Sequence, residues 1–139
     1  MYQLRVEVIF DSGHRLLNYQ GKCAYPHGHT YKAEIFIGSS TLNEMGMVSD
    51  FLALKERIKG WLEENWDHAF LVNSRDKELL NALGSLTLRR LYVFQEQNPS
   101  CEVMAREIYQ KAQELGSLAP SKVRLWESPT QYAEYCGGE

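Results

Sequence analysis

The chain has 139 residues, enough for one domain that buries its own core without disulfides or structural metals. It is 44% hydrophobic and 24% charged, as in soluble globular proteins, and its net charge of -3 gives no electrostatic reason to expect nucleic acid or an anionic membrane as partner. The first residues alternate polar and apolar, so neither a signal peptide nor a transmembrane helix is expected, and the odd count of Cys23, Cys101 and Cys136 reads as reduced thiols in a cytoplasm.

Tyr2 to Phe10 alternates, with Leu4, Val6, Val8 and Phe10 on one side and Arg5 and Glu7 on the other, which predicts a half-buried strand. His14 follows at the strand end or just past it. A polar loop carries Cys23. Tyr31 to Ile37 alternates again and predicts a second strand that begins near His29 and pairs antiparallel with the first. Gly38 to Gly46 is a turn region. Asp50 is a good N-cap for a helix whose buried face is Leu54, Ile58, Trp61 and Leu62, weakened slightly by Gly60. Asp76 to Leu83 predicts a short helix and Leu86 to Phe94 a third strand.

Ser100 caps a second main helix, with Ala105, Ile108, Ala112 and Leu115 inward and Gly116 at its end. Lys122 to Glu127 predicts a fourth strand, and Tyr132 to Cys136 a short tail able to pair at an edge. The order of elements is that of an α+β domain spanning 1–139, an antiparallel sheet with helices on one face. No repeat, low-complexity tract or linker divides it.

The chemistry concentrates between His14 and His29. In an extended strand, residues i and i+2 point to one face, so His27 and His29 can close on one metal ion. With His14 they make the number and type of ligands that a catalytic zinc takes, leaving a fourth position open. A structural zinc with Cys23 as fourth ligand is the competing reading, and histidines that only hydrogen-bond in loops are the plain one. Asp67 and His68 offer a carboxylate able to orient an imidazole, or simply a polar helix terminus. Glu127 shares strand parity with Val123 and Leu125, which points it to the buried or cleft side, where a planar ligand with adjacent N–H groups would satisfy it; a strand that has already ended would leave it solvated. Glu102 in a first helical turn also suits the helix dipole.

Taken together, Phe10-Asp-Ser-Gly-His14, Cys23-x-x-x-His27-Gly-His29, Val48-Ser-Asp50-Phe51, Asp67-His68, Asn98-Pro-Ser-Cys-Glu102 and Glu127 resemble the 6-pyruvoyltetrahydropterin synthase / 6-carboxytetrahydropterin synthase family. The pieces occur in the family's order over nearly the whole chain. The resemblance implies a T-fold (tunnelling fold), in which an antiparallel four-stranded sheet is backed by two helices. The sheets close into a barrel in trimers that stack as homohexamers, with active sites between subunits. It implies Zn2+ on His14, His27 and His29, a catalytic thiol at Cys23 relayed by Asp67 and His68, and a pterin ring anchored by Glu127, with Ser100 and Glu102 beside it.

The four-residue gap from Cys23 to His27 resembles the carboxy-type enzymes of queuosine biosynthesis more than the pyruvoyl type. The implied activity is that of a zinc-dependent lyase converting 7,8-dihydroneopterin triphosphate to 6-carboxy-5,6,7,8-tetrahydropterin. Triphosphate elimination alone, aldol-type cleavage of dihydroneopterin, and a zinc-stabilised pterin-binding or scaffold protein without turnover are the alternatives. Ser100 stands where threonine is usual in the family. Arg15, Lys22 and Lys32 lie near the site in sequence and are the candidates for holding a triphosphate.

Overall fold

A computed structural model describes residues 1–116 and 119–138. The chain runs β1 (Tyr2–His14), a 3-10 turn (Lys22–Ala24), β2 (His27–Ser39), α1 (Phe51–Asn65), β3 (Ala69–Asn73), α2 (Lys77–Gly84), β4 (Leu91–Phe94), α3 (Cys101–Leu115), β5 (Lys122–Ser128) and β6 (Gln131–Tyr135). All six strands form one sheet in the order β4-β3-β1-β2-β5-β6. β1-β2-β5-β6 form the antiparallel four-stranded unit that the family resemblance implies, with the tail at Tyr132 as its edge strand, whereas the strand expected over Leu86 to Phe94 lies outside that unit. Two strands add to it at the β1 side, both parallel, so the whole sheet is mixed.

The added strand β3 departs from the expectation. Ala69 to Asn73 carries no alternation because four of its five residues are buried, and a short apolar run covered on both faces shows no period of two. The predicted third strand shrinks to β4, Leu91–Phe94, with Leu86 to Arg90 preceding it outside the sheet. β1 also runs farther than Phe10. Asp11, Ser12 and Gly13 do not read as strand, yet the burial alternation continues through Phe10, Ser12 and His14, and Ser12 Oγ donates to the Trp66 carbonyl at 2.5 Å.

The helices form where caps and periodicity place them. Asp50 accepts from the Leu52 amide at 2.9 Å and Ser100 from the Val103 amide at 3.2 Å, each supplying an acceptor to an amide that has no partner inside its helix. α1 buries Leu54, Ile58 and Leu62, and α3 buries Met104, Ala105, Ile108 and Ala112; Trp61 and Leu115 are half-buried at the rims. These faces cover the Val6, Val8, Ala33, Ile35, Val123 and Leu125 side of the sheet, which forms one continuous core. Burying each such side chain contributes about 1.5–3 kcal/mol.

Among the described residues no α-helix covers the same stretch of the other face. There Glu34 is a buried carboxylate that accepts from Arg5 Nε and Trp126 Nε1, and burial, which pushes its carboxyl up, is outweighed by those bonds, so it is held below the ordinary range. No helix among the described residues is long and apolar enough to cross a membrane.

Gly60 sits on the exposed side of α1, where an added Cβ meets no atom within 4 Å. Replacing it removes backbone freedom from the unfolded chain at no steric cost, so Gly60→Ala should raise stability by about 0.5–1 kcal/mol. The check is an urea titration with a higher midpoint and an unchanged slope.

Candidate metal centre and its surroundings

The β1–β2 ladder pairs His14 with His27 and Ser12 with His29. Directly opposed residues share a face, and His29 lies two residues beyond His27, so all three imidazoles stand on the helix-covered side at one end of the sheet. Their ring centroids are 4.7 Å (His14–His27), 4.8 Å (His27–His29) and 5.2 Å (His14–His29) apart.

Backbone carbonyls fix two of the rings. His14 Nδ1 lies 2.7 Å from the Pro99 carbonyl and His27 Nδ1 2.6 Å from the Tyr25 carbonyl, so each Nδ1 donates and each Nε2 keeps a free lone pair. The Nε2 atom of His27 is buried without a hydrogen-bond partner, and that of His29 makes no well-directed hydrogen bond although a carboxylate oxygen of Glu127 lies 2.8 Å from it. Burial, helped by the neighbouring His14 and His27, also pulls the His29 pKa down against the opposing pull of Glu127, which favours the neutral ring. Buried imidazole nitrogens aimed at one point and left without well-directed partners are what a metal ion would satisfy, and the residues fit one.

Glu127 completes the group. Ligand atoms of His14, His27, His29 and Glu127 all lie within 4.8 Å of one another. Glu127 Oε1 is 2.8 Å from His29 Nε2 and 3.5 Å from His14 Nε2. The β5–β6 pairing shifts register between Trp126 and Ser128, so Glu127 is the extra residue of a bulge, a device that re-aims a side chain at a sheet's rim. The three neighbouring histidines, His14 first, hold its carboxyl below the ordinary range against burial. Cys23, half-buried on the 3-10 turn, is not in this group; the fourth oxygen or sulfur near the imidazoles belongs to Glu127. That disfavours the reading in which Cys23 closes a structural zinc.

Asp67 and His68 form a second group with Asp11, whose side chain alternates to the opposite face from His14. Although adjacent in sequence, their side chains meet: His68 Nδ1 is 3.0 Å from Asp67 Oδ2, made possible by a left-handed backbone at His68 (φ 58°). Asp67 also accepts from the Asp11 amide at 2.9 Å, and its carboxyl sits low because this bond and His68 outweigh the upward push of burial. No hydrogen bond or ion pair joins this pair to Cys23 among the described residues. A groove of about 640 Å³ is bordered by both groups, with His27 and His29 from one and Asp11 and His68 from the other.

On the far side of Glu127, a cavity of about 360 Å³ is lined by Cys101, Glu102, Glu127, Gln131 and Tyr132 among others. Glu102 therefore does come to the same cavity as Glu127. Ser100 spends its hydroxyl as the cap of α3.

The site also uses residues that pattern did not expose. The buried Tyr31 places its hydroxyl 3.4 Å from His14 Nε2 and stacks on Phe10; strand alternation gave its face but not its partner. Burial first, and then the charges of Glu127, Cys101 and Cys23, push its phenol well above the usual range, which keeps it a hydrogen-bond donor. Of the three cations proposed for a triphosphate, Arg15 is already engaged by Asp76 and Glu78, and Lys32 lies over the Trp126 ring at 5.0 Å. Lys22 is exposed beside Cys23.

Comparison with known proteins gives the family. A family model described as "6-pyruvoyl tetrahydropterin synthase" matches residues 3–138. The chain is 37% identical to a 6-carboxy-5,6,7,8-tetrahydropterin synthase from Rickettsia bellii over 129 residues, covering 90% of this chain and 93% of that protein. It is 34% identical to the Haemophilus influenzae protein of the same name, covering 97% and 99%. The solved 6-pyruvoyl tetrahydropterin synthase of Caenorhabditis elegans shares the fold, with a TM-score of 0.72 and 22% identity over 99% of this chain and 96% of that one. By sequence along almost its full length and by fold, the chain belongs to the 6-pyruvoyl tetrahydropterin synthase family.

Proposed function

We propose that this protein is a lyase of the carboxy type, which converts 7,8-dihydroneopterin triphosphate to 6-carboxy-5,6,7,8-tetrahydropterin with release of acetaldehyde and triphosphate. The observation that carries the reading is the trio of imidazoles with Nε2 atoms aimed at one point, in a chain whose curated relatives bear that enzyme's name. The four-residue spacing of Cys23 and His27 supports the carboxy type over the pyruvoyl type.

His14, His27 and His29 would hold a zinc ion, which when bound supplies Lewis acidity toward the side-chain hydroxyls of the substrate. The chain's own groups then divide the remaining work. Cys23, as thiolate, takes the proton from the side-chain carbon that those hydroxyls acidify. Glu127 accepts two N–H bonds from the aminopyrimidinone edge of the pterin, which lies in the cavity that Glu102 also lines, beside the start of α3 at Ser100. His68, oriented by Asp67, serves the second proton transfer. Because Asp67 and His68 form a group apart from Cys23 within one chain, the complete site takes them from a neighbouring copy in a trimer or hexamer. The reaction belongs to the cytoplasmic synthesis of the 7-deazaguanine precursor of queuosine.

Incubating the protein with dihydroneopterin triphosphate and identifying products by mass tests the reaction. The carboxy-pterin and acetaldehyde are expected; a pyruvoyl product would assign the other subgroup, and no conversion would favour a binding protein. Cys23→Ala should retain metal and assembly while losing turnover, because three imidazoles already complete the protein's share of a catalytic zinc site.

His27→Ala should lose most of the bound zinc, expected at about one per chain in the wild type. Elemental analysis reads this without any assay of activity. Full metal content in that variant would contradict the site.

Glu127→Gln replaces an acceptor oxygen with a donor and sets N–H against N–H at one of two bonds. Leaving a partner group unpaired in a dry pocket costs about 1–3 kcal/mol, so pterin affinity should fall roughly ten- to a hundredfold. Titration with a non-reactive pterin checks it; unchanged affinity would place the ring elsewhere, with Glu102 the next candidate.

A further inference from the structure

The segment between His14 and His27 carries Cys23, yet its only regular element is the one 3-10 turn. Polar bonds at its first three residues fix it. Asn98 treats Leu17 as a strand treats its neighbour: Oδ1 accepts from the Leu17 amide at 2.9 Å, and Nδ2 donates to the Leu17 carbonyl at 3.1 Å. Asn98 is anchored in turn, since its Oδ1 also accepts from Asn73 Nδ2 at 3.1 Å, at the end of β3. Two residues earlier, Arg15 grips Asp76 with Nε at 2.6 Å and Nη2 at 2.5 Å, and reaches Glu78 at 3.2 Å. Asp76 is 2% exposed and caps α2 through the Leu79 amide.

Between these two grips, the Leu16 amide donates to the Cys23 carbonyl at 2.8 Å. The backbone of the thiol residue thus hangs directly on the clamped tripeptide Arg15-Leu16-Leu17. The neighbouring Pro99 carbonyl is the acceptor that fixes His14. The imidazole cluster and the thiol arm are therefore both referenced to the dipeptide Asn98-Pro99.

We propose that Asn98 and the Arg15–Asp76 pair are positioning residues that hold the Cys23 arm in place beside the histidine cluster. This rests on the reading of Cys23 as the reactive group. Twelve residues separate His14 from His27, and without the clamp the thiol would sample positions far from the point where the imidazoles converge. Misplacing a reacting group by about 1 Å can cost about a hundredfold in rate. The planar guanidinium spanning both oxygens of a buried carboxylate gives the arm a direction that a flexible ammonium could not. With all its contacts made to carboxylates, Arg15 holds the arm and leaves the triphosphate to other cations.

The test compares Asn98→Ala and Arg15→Lys in a Cys136→Ser background, where Cys23 is the accessible thiol because Cys101 is buried. Three quantities are measured: zinc per chain, the rate at which iodoacetamide labels Cys23, and steady-state kinetics on dihydroneopterin triphosphate. Asn98→Ala should keep its zinc and hold KM within about twofold, while kcat falls about a hundredfold and labelling accelerates severalfold. Arg15→Lys keeps the charge but loses the two-point grip, so it should shift both rates the same way by less. Wild-type labelling and kcat in both variants would overturn the proposal. So would zinc lost in step with kcat, which would place the effect on His14. Labelling needs no turnover: an unmodified protein that converts no pterin would refute the proposed function, while the labelling comparison would still judge the clamp.

Discussion

The register between β1 and β2 is the constraint on which everything else depends. His14 opposes His27, and a slip by one residue would turn one strand's histidines to the uncovered face while the other kept its own. The register is held along thirteen pairs, and its core end, where Val6 and Val8 meet Ile35 and Ala33, carries the free energy that holds the histidine end in place. The hydrophobic core and the histidine cluster are thus parts of one ladder. Burial at one end sets geometry at the other.

A sheet with one helix-covered face also explains how four histidines divide into two environments. His14, His27 and His29 point under the helices, where burial favours the neutral ring of His29 and leaves the Nε2 atom of His27 without a hydrogen-bond partner. His68 stands just before β3 with its side chain 74% exposed and paired with Asp67. Which side of the backbone a histidine leaves from thus decides whether it joins the imidazole cluster or stands exposed beside Asp67. Glu127 illustrates the complementary device: an ordinary strand end would let the carboxylate relax into water, and the bulge after Trp126 keeps it beside the imidazoles.

Much of this could be read from the residues. Alternation in Tyr2 to Phe10 and Tyr31 to Ile37 located the central hairpin, and caps at Asp50 and Ser100 located both main helices. The same-face argument for His27 and His29 needed only a period of two. What escaped did so for identifiable reasons. β3 is buried on both sides and so shows no period. The last turn of β1 is written in Asp11, Ser12 and Gly13, residues that favour loops, because its stability comes from Ser12 meeting Trp66, a contact 54 positions away. The meeting of Asp67 with His68 depends on one left-handed residue. Arg15 looked like a free cation beside the site, and only the tertiary structure brings Asp76 to it across 61 positions.

One feature of the sheet bears on how the protein behaves in solution. Its order leaves β4 and β6 as edges, each offering a row of main-chain donors and acceptors on one side. β6 pairs through its backbone with β5 alone, while its Tyr135 packs on Tyr109 of α3 and its exposed Tyr132 lies against Trp126. A strand that docks against such an edge binds the folded chain and not the unfolded one, and adds stability by mass action. Resistance to heat would then be set partly by how much protein is in the tube. Dilution, with no change in temperature or denaturant, would loosen the outermost strands first and leave the imidazole-bearing hairpin at the sheet's centre until last.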